Sequence, residues 1–460
     1  ASNLLAMYLI DVPPPTISGL LHMGHVFSYA QMDFLARFHM ARGEVVYPFC
    51  FDNNGVPTAR LAAQEGIEDP QEIEKMSHVY AERYRDLFSN MRFAFANNPS
   101  YCSLSDETRL LANTSLQDLL DKGYAYKGTE KTLWCPEHQI AVSQAEVTKD
   151  GRYERSGALV EEQESEGLFI NMKDHLDIIR DAINQINWHP NMFKERLLRW
   201  VDGIQYDWSI ARDRSFGVPI EGETGLVFDT WFISSMTPQL AWAAYQEQAP
   251  TLECPIFDLR FQGHDIIRTW ALFTIVKSLY HNNQIPWTDI VVTGHALDPK
   301  GRKISKSAGN FVPPSEYIDK YGPHGVRYWA ALNRPGTDSR ITESAMQKGE
   351  KLVTKIRNAA RFISMQTEDE GVVTEWCERW GEVERELFAS MEALDWSTAI
   401  STLRAFFWNE FCSEWIEASK KRPSKDTLCS ILLGMLDWFD MFLPGIKEEI
   451  THMVNQTQTA

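Results

Sequence analysis

The first 50 residues restrict the fold more than any other part of the sequence. Residues 6–12 form an apolar run that alternates poorly, as a strand buried on both faces does. A Pro-rich loop from Pro13 to Gly19 follows. From His22 onward apolar side chains recur every three or four positions, at Met23, Phe27, Ala30, Phe34 and Phe38, which predicts a helix ending at Gly43. A second apolar run covers 44–50. Strand, loop, helix and strand in that order open a parallel α/β sheet.

The alternation resumes far downstream. Residues 256–262 read as a strand, and 289–294 as the next one. Between them a helix is expected from His264, with Ile266, Trp270, Phe273, Val276 and Leu279 on its apolar face. In the interval, 58–128 read as helices with polar joints, 131–135 as a strand, and 145–220 as a charge-rich connecting module of weak periodicity. Beyond Pro335 the pattern is helical, with a bundle expected over 341–453. The 460 residues are about three times a common domain length, so two or three domains are expected.

Composition narrows the function classes. A hydrophobic fraction of 44% with 23% charged residues excludes a disordered chain. The longest apolar windows fall short of the roughly 20 residues of a membrane span, and no basic-then-apolar leader opens the sequence. No membrane attachment and a cytoplasmic location are therefore expected. Seven scattered cysteines without a Cys-x-x-Cys pair read as reduced thiols. Cys135 and His138 offer two zinc ligands with no second pair to close a tetrahedral site, so no zinc is expected. Forty-five basic against 63 acidic residues give a formal charge of −18, which does not favour a generic nucleic-acid binder. Any RNA contact has to come from a local basic patch.

Two short segments carry chemistry. His22-Met23-Gly24-His25 falls where loop becomes helix, and a helix N-terminus offers unpaired N–H groups to an anion. Gly24 lets a nucleotide approach the backbone, and the two imidazoles can donate to phosphate oxygens. Taken alone, the segment fits a pair of solvent-facing histidines equally well. The second segment, 301–310, is a Gly-bounded loop with Lys303 and Lys306 three apart. Two ammonium groups on one polyphosphate would stabilise the charge that grows as pyrophosphate leaves. Taken alone, it also reads as a solvated basic turn.

Together these segments, HMGH and KISKS, resemble the two signatures of class I aminoacyl-tRNA synthetases. Further blocks resemble the valine enzymes of that class, especially their archaeal-type branch. They are DVPPPTISGLLHMGHVFSYAQMD, FDNNGVPT at Asp52, NWHPNMFKERLLRWVDGIQYDW around Trp200, DTWFISSMTPQ at Asp229 and RFQGHDIIRTWALFTI at Gly263. The resemblance implies an α/β fold: a Rossmann-like parallel sheet split by a short insertion and followed by an all-α helical bundle. It implies 1–145 and 221–340 as the two halves of a catalytic domain, 146–220 as a shortened connective insertion, and 341–460 as an anticodon-binding-like domain.

Residue roles follow from the same resemblance. His22, His25, Lys303 and Lys306 would be catalytic, acting on the phosphates of ATP, with Mg2+ accompanying the nucleotide. Gly24, Gly263, Asp265, Ser305 and Ser307 would bind ATP, Asp265 through the ribose hydroxyls. Pro13, Asp52, Trp231 and Trp270 would bind the amino acid, Asp52 through its α-ammonium and the two indoles as walls of the side-chain pocket. The implied activity is ATP-dependent formation of an aminoacyl adenylate, with valine or a similar small branched amino acid, and transfer to tRNA.

The sequence also departs from that pattern. The valine enzymes carry an editing domain after the QAEV segment, whereas here Ala145-Glu146-Val147 leads almost directly toward Trp200. A pocket shaped for valine rejects isosteric threonine by only about 10²-fold. From Ile341 onward 13 basic residues face 20 acidic ones, and Lys420, Lys421, Arg422 and Lys425 form the one dense basic spot, read as a solvated loop. Tyr153 and Glu154 stand where cysteines of a zinc knuckle would be. Two other readings remain open: an adenylating enzyme with a pathway-specific acyl acceptor other than tRNA, and a non-catalytic regulatory relative. The presence of all four candidate catalytic side chains disfavours the last. Arg268 is the position expected to report a remodelled pocket.

Overall fold

The computed structural model describes residues 7–305 and 307–458. The chain divides into two compact units, one of Ala1–Gly19, Val45–Arg85 and Asn97–Val292, the other of Leu20–Glu44, Asp86–Ala96 and Thr293–Ala460.

The first unit is built on strands β1 (Met7–Asp11), β2 (Glu44–Val46), β3 (Phe49–Phe51), β4 (Ser100–Cys102), β5 (Ala125–Cys135), β6 (Ile140–Val142) and β7 (Glu161–Ile170). It continues through β8 (Asn187–His189), β9 (Trp208–Ser209), β10 (Ala211–Asp213), β11 (Leu226–Phe228), β12 (Phe257–Gly263) and β13 (Trp287–Thr293). Five of them form the main sheet in the order β2-β1-β12-β13-β8, with β1 parallel to β12 and β13 parallel to β8. The interior strand β12 is buried along most of its length, as a parallel strand covered on both faces must be. This is the α/β class the sequence implied. A second, antiparallel sheet has the order β6-β5-β7-β9.

Strand register builds the polar core of this unit. Asp11 lies directly opposite Arg260, and their side chains make a wholly buried ion pair at 2.7 Å. The same guanidinium donates to Thr274 Oγ1 at 2.7 Å and lies 3.4 Å from the centroid of the Trp270 ring. Nearby, Ser115 Oγ meets His281 Nε2 at 2.8 Å while His281 Nδ1 meets Asp118 at 2.7 Å. Ser115 is fully buried. This Ser-His-Asp arrangement therefore clamps the helix Asp106–Asp121 to the helix Leu272–Asn282 and exposes no nucleophile.

Several elements differ from the sequence expectation, each for a local reason. The run 44–50 is two strands, β2 and β3, separated at Tyr47-Pro48, because proline cannot continue a ladder. The helix expected from His264 starts as a 3₁₀ turn at His264–Ile266 and a π-helical turn at Ile267–Ala271, and becomes α-helical only at Leu272. The widened turn coincides with Trp270, whose indole is tethered away from its own helix. The span 58–128 contains β4, too short to show a period. The span 145–220 contains β7, whose glutamates face outward while it pairs with β5 over ten positions.

In the second unit, helix α1 (Met23–Met40) is buried on most of its faces, down to Gln31 and Asp33. Strand β14 (Ala296–Leu297) pairs in parallel with β15 (Ser339–Arg340). Helices follow at Pro314–Ala331, Glu343–Ser364, Thr374–Glu392, Trp396–Ala405 (continued by the π-helical Phe406–Ile416), Lys425–Phe442 and Ile446–Gln458. The wholly buried Arg327 pairs with Asp33 at 2.7 Å and donates to the carbonyls of Phe442, Met441 and Met91. Most of the basic spot is spent internally: Lys420 pairs with Glu417 at 2.8 Å, and Lys425 donates to the carbonyls of Ser364 and Gln366. No helix among the described residues is long and apolar enough to cross a membrane.

Candidate active site

In the second unit the site begins at the N-terminus of α1. His22 is the N-cap: its Nδ1 accepts the N–H of Gly24 at 3.0 Å, and His25 Nδ1 accepts the N–H of His22 at 3.2 Å. This is a reciprocal capping box made by two imidazoles instead of a hydroxyl and a carboxylate. A neutral imidazole that accepts at Nδ1 carries its proton at Nε2. Burial pushes His25 down to about 3, and burial together with the charges of His295 and Lys303 also lowers His22. At neutral pH the pair is uncharged and offers two Nε2–H donors, with ring centroids 4.1 Å apart. A Cβ on Gly24 would come within 2.6 Å of the His22 ring, so the glycine is needed to seat that histidine.

Helix α1 packs on β14, and Leu297 of that strand bridges to Lys303, which brings the basic loop to the same end of the unit. Lys303 is exposed. The loop is held by residues that sequence reasoning left without a role. Asn310 donates to the Lys303 carbonyl at 2.9 Å and to Asp298 at 3.0 Å, and accepts the N–H of Ser305 at 3.0 Å. Asp298 also accepts the backbone N–H groups of Lys300 and Arg302. Against the effect of burial, the bonds from Asn310 and from the backbone and guanidinium of Arg302 hold its carboxyl well below the usual range. Ser305 and Ser307 touch each other at 3.3 Å. Lys306 lies outside the described residues. His295, whose charge lowers His22, had one sequence signal, the preceding Gly294: a Cβ there would lie 2.1 Å from the Thr337 carbonyl.

The first unit gathers the residues expected to hold an amino acid. The loop from Pro13 to Ile17 is tied to Asp52 by Asp52 N–H to Pro15 O at 2.9 Å and Ile17 N–H to Asp52 O at 2.8 Å. Asp52 Oδ1 accepts from Ser103 Oγ at 3.1 Å and Asn54 N–H at 3.3 Å, while Oδ2 has no partner among the described residues. Burial pushes this carboxyl up, opposed by those two bonds and by Arg155. A Cβ on Gly55 would sit 3.2 Å from Thr230, so the Asp52 turn lies against the helix Thr230–Ser234 that carries Trp231. Trp270 donates its indole N–H to Ser234 O of that helix at 2.8 Å. Gly263 ends β12, and Asp265 follows it, exposed; a Cβ on Gly263 would lie 2.7 Å from Asp265 Oδ1. Arg268 stacks on Trp200, 4.6 Å from its ring centroid.

The sequence model of the family described as "tRNA synthetases class I (M)" matches residues 8–361. The chain belongs to the class I tRNA synthetases. The model of the anticodon-binding domain of tRNA ligases matches 377–460 of this synthetase. Among curated relatives, the valine–tRNA ligase of Wolbachia pipientis wMel is 26% identical, over 97% of this chain and 84% of that protein. That of Anaplasma marginale is 25% identical, over 97% and 82%. Among solved structures, the LeuRS–tRNA–LeuAMS ternary complex of Agrobacterium radiobacter K84 superposes with a TM-score of 0.81 at 16% identity, covering 97% of this chain and 85% of that one. Methionyl-tRNA synthetase of Mycobacterium tuberculosis in complex with methionyl-adenylate gives 0.80 at 17% identity, covering 97% and 93%. The synthetase is thus an amino-acid-activating ligase with the fold of this class, as its sequence implied.

Proposed function

We propose that this synthetase activates valine, or a similarly small branched amino acid, with ATP and transfers it to tRNA without an editing domain. The observation that carries the reading is the uncharged imidazole pair at the start of α1, with Lys303 near enough for its charge to lower His22. In the first step the amino-acid carboxylate attacks the α-phosphorus, and the bond to the bridging oxygen breaks as pyrophosphate leaves. The Nε2–H groups of His22 and His25 donate to phosphate oxygens, and Lys303 and Lys306 neutralise the departing diphosphate, helped by Ser305 and Ser307. Gly24 and Gly263 border the nucleoside and Asp265 takes the ribose hydroxyls. In the second step a tRNA hydroxyl attacks the acyl carbon and AMP departs.

The free Oδ2 of Asp52 suits an α-ammonium, and Pro13 borders the same pocket. Trp270, fixed by Ser234 and Arg260, makes a rigid wall beside Trp231. No group of three or more His, Cys, Asp or Glu among the described residues could hold a metal, so Mg2+ would arrive on the ATP phosphates. The reading includes no zinc: His138 Nε2 bonds to Ser156 Oγ at 2.8 Å, and Cys135 is buried. For the missing editing domain, the Wolbachia alignment runs over 727 positions although this chain has 460 residues, so that relative holds a long stretch without a counterpart here. We place the enzyme in the cytoplasm, in keeping with its seven unpaired cysteines.

Amino-acid-dependent ATP–pyrophosphate exchange, followed by acylation of unfractionated tRNA, tests the reading. Valine is expected to support both steps, and threonine to be activated at about 10⁻² of the valine rate. Exchange without tRNA charging refutes the tRNA acceptor. Rejection of both amino acids refutes the pocket.

A further inference from the structure

One guanidinium in the first unit ties together the segments assigned to the amino acid. Arg260, wholly buried on β12, pairs through Nε with Asp11 at 2.7 Å, and Asp11 precedes Val12 and Pro13 in the chain. Its Nη2 donates to Thr237 Oγ1 at 3.4 Å, at the start of the helix that follows the one carrying Trp231. The same nitrogen donates to Thr274 Oγ1 at 2.7 Å, and Thr274 in turn donates to the Trp270 carbonyl at 2.6 Å. Nη1 donates to Gln262 Oε1 at 3.1 Å.

Trp270 is held from three directions. The Arg260 guanidinium lies over its ring, 3.4 Å from the centroid, Ser234 O accepts its indole N–H at 2.8 Å, and Thr274 grips its carbonyl. Trp287 backs the arrangement, 4.9 Å from the guanidinium, and donates to Asp11 at 3.2 Å. Burial lowers Arg260 to about 10, with Asp11 opposing the shift, so it keeps its charge at neutral pH. Paired with Asp11, it adds no net charge behind a wall that has to stay apolar.

A pocket distinguishes side chains that differ by one methylene by about 10–200-fold, provided that its walls do not yield to the larger one. We propose that Arg260 is a specificity-determining positioning residue, which fixes the depth of the side-chain pocket by locking Trp270 to Asp11 and Thr237 and so excludes isoleucine. It touches neither amino acid nor nucleotide. The assignment rests on the proposed valine pocket bounded by Pro13, Trp231 and Trp270.

The test measures kcat/KM for valine and for isoleucine in ATP–pyrophosphate exchange, with the wild-type enzyme, Arg260→Lys and Thr274→Val. Lysine keeps a charge for Asp11 but has neither the flat face for Trp270 nor the reach to several acceptors at once. Thr274→Val keeps the ion pair and removes only the hydroxyl between Arg260 and Trp270. Both amino acids are compared at one ATP concentration, so any effect passed through Gln262 to the neighbouring Gly263 cancels in the ratio. The preference for valine over isoleucine is expected to fall by about tenfold in Arg260→Lys and by about threefold in Thr274→Val, mainly because isoleucine gains. A ratio unchanged in both variants, or valine and isoleucine falling in step, overturns the assignment. Should Arg260→Lys fail to fold, Thr274→Val decides alone. A wild-type enzyme that activates isoleucine as well as valine overturns the assignment too, whereas one that activates neither overturns the functional reading itself.

Discussion

Lys303→Ala is expected to lower valine-dependent ATP–pyrophosphate exchange by about 10²–10³-fold, the usual cost of removing one preorganised group from a developing charge. The side chain is exposed and its loop is fastened through Asn310 and Asp298, so the thermal midpoint is expected to stay where it is. His25→Ala is expected to cost as much in rate, with an added loss of about 1 kcal/mol of stability because the capping bond to His22 disappears. The two variants separate chemistry from architecture. If Lys303→Ala exchanged at the wild-type rate, the basic loop would have no role in activation.

Arg327→Met is expected to lower the unfolding free energy of the helical unit by about 3–5 kcal/mol. Arg327 is wholly buried, and four backbone carbonyls, those of Phe442, Met441, Met91 and Arg92, accept from it in addition to Asp33. Methionine fills similar space but takes this donor away from those carbonyls, of which Arg92 alone keeps a bond from Arg37. Asp33 would keep Arg37 at 2.9 Å and the N–H of Ala94, so the loss is expected at the lower end of that range. Because Asp33 belongs to α1, exchange activity is expected to fall at temperatures below the unfolding midpoint. Denaturant titration of both proteins checks this; coincident curves would mean that the pair is dispensable.

What was legible in the sequence was local. The strand–loop–helix opening, the histidines at a helix start and the basic loop all lie within short segments whose periodicity or composition declares them. What stayed hidden depends on pairing across long separations. Asp11 and Arg260 are 249 residues apart and meet only through strand register. The glutamates of β7 look like a solvated linker until ten positions of β5 lie beside them. Histidine is not the usual capping residue, so the double cap at α1 could be seen only in the geometry, and it is this cap that fixes which nitrogen carries each proton. Asn310 stood in view at the end of the loop, but its three bonds come from the folded turn.

Imidazole ¹⁵N NMR of His22 and His25, assigned through single substitutions and recorded from pH 5 to 8 with and without ATP, tests the central claim most directly. His25 is expected to stay neutral with the proton on Nε2 across that range, since it titrates near 3, and His22 to keep its proton on Nε2 at neutral pH and to gain a second only below its ordinary value. Both Nε2 resonances are expected to move when ATP binds. A ring that titrates near 6.5, a proton found on Nδ1, or resonances indifferent to saturating ATP would contradict the account.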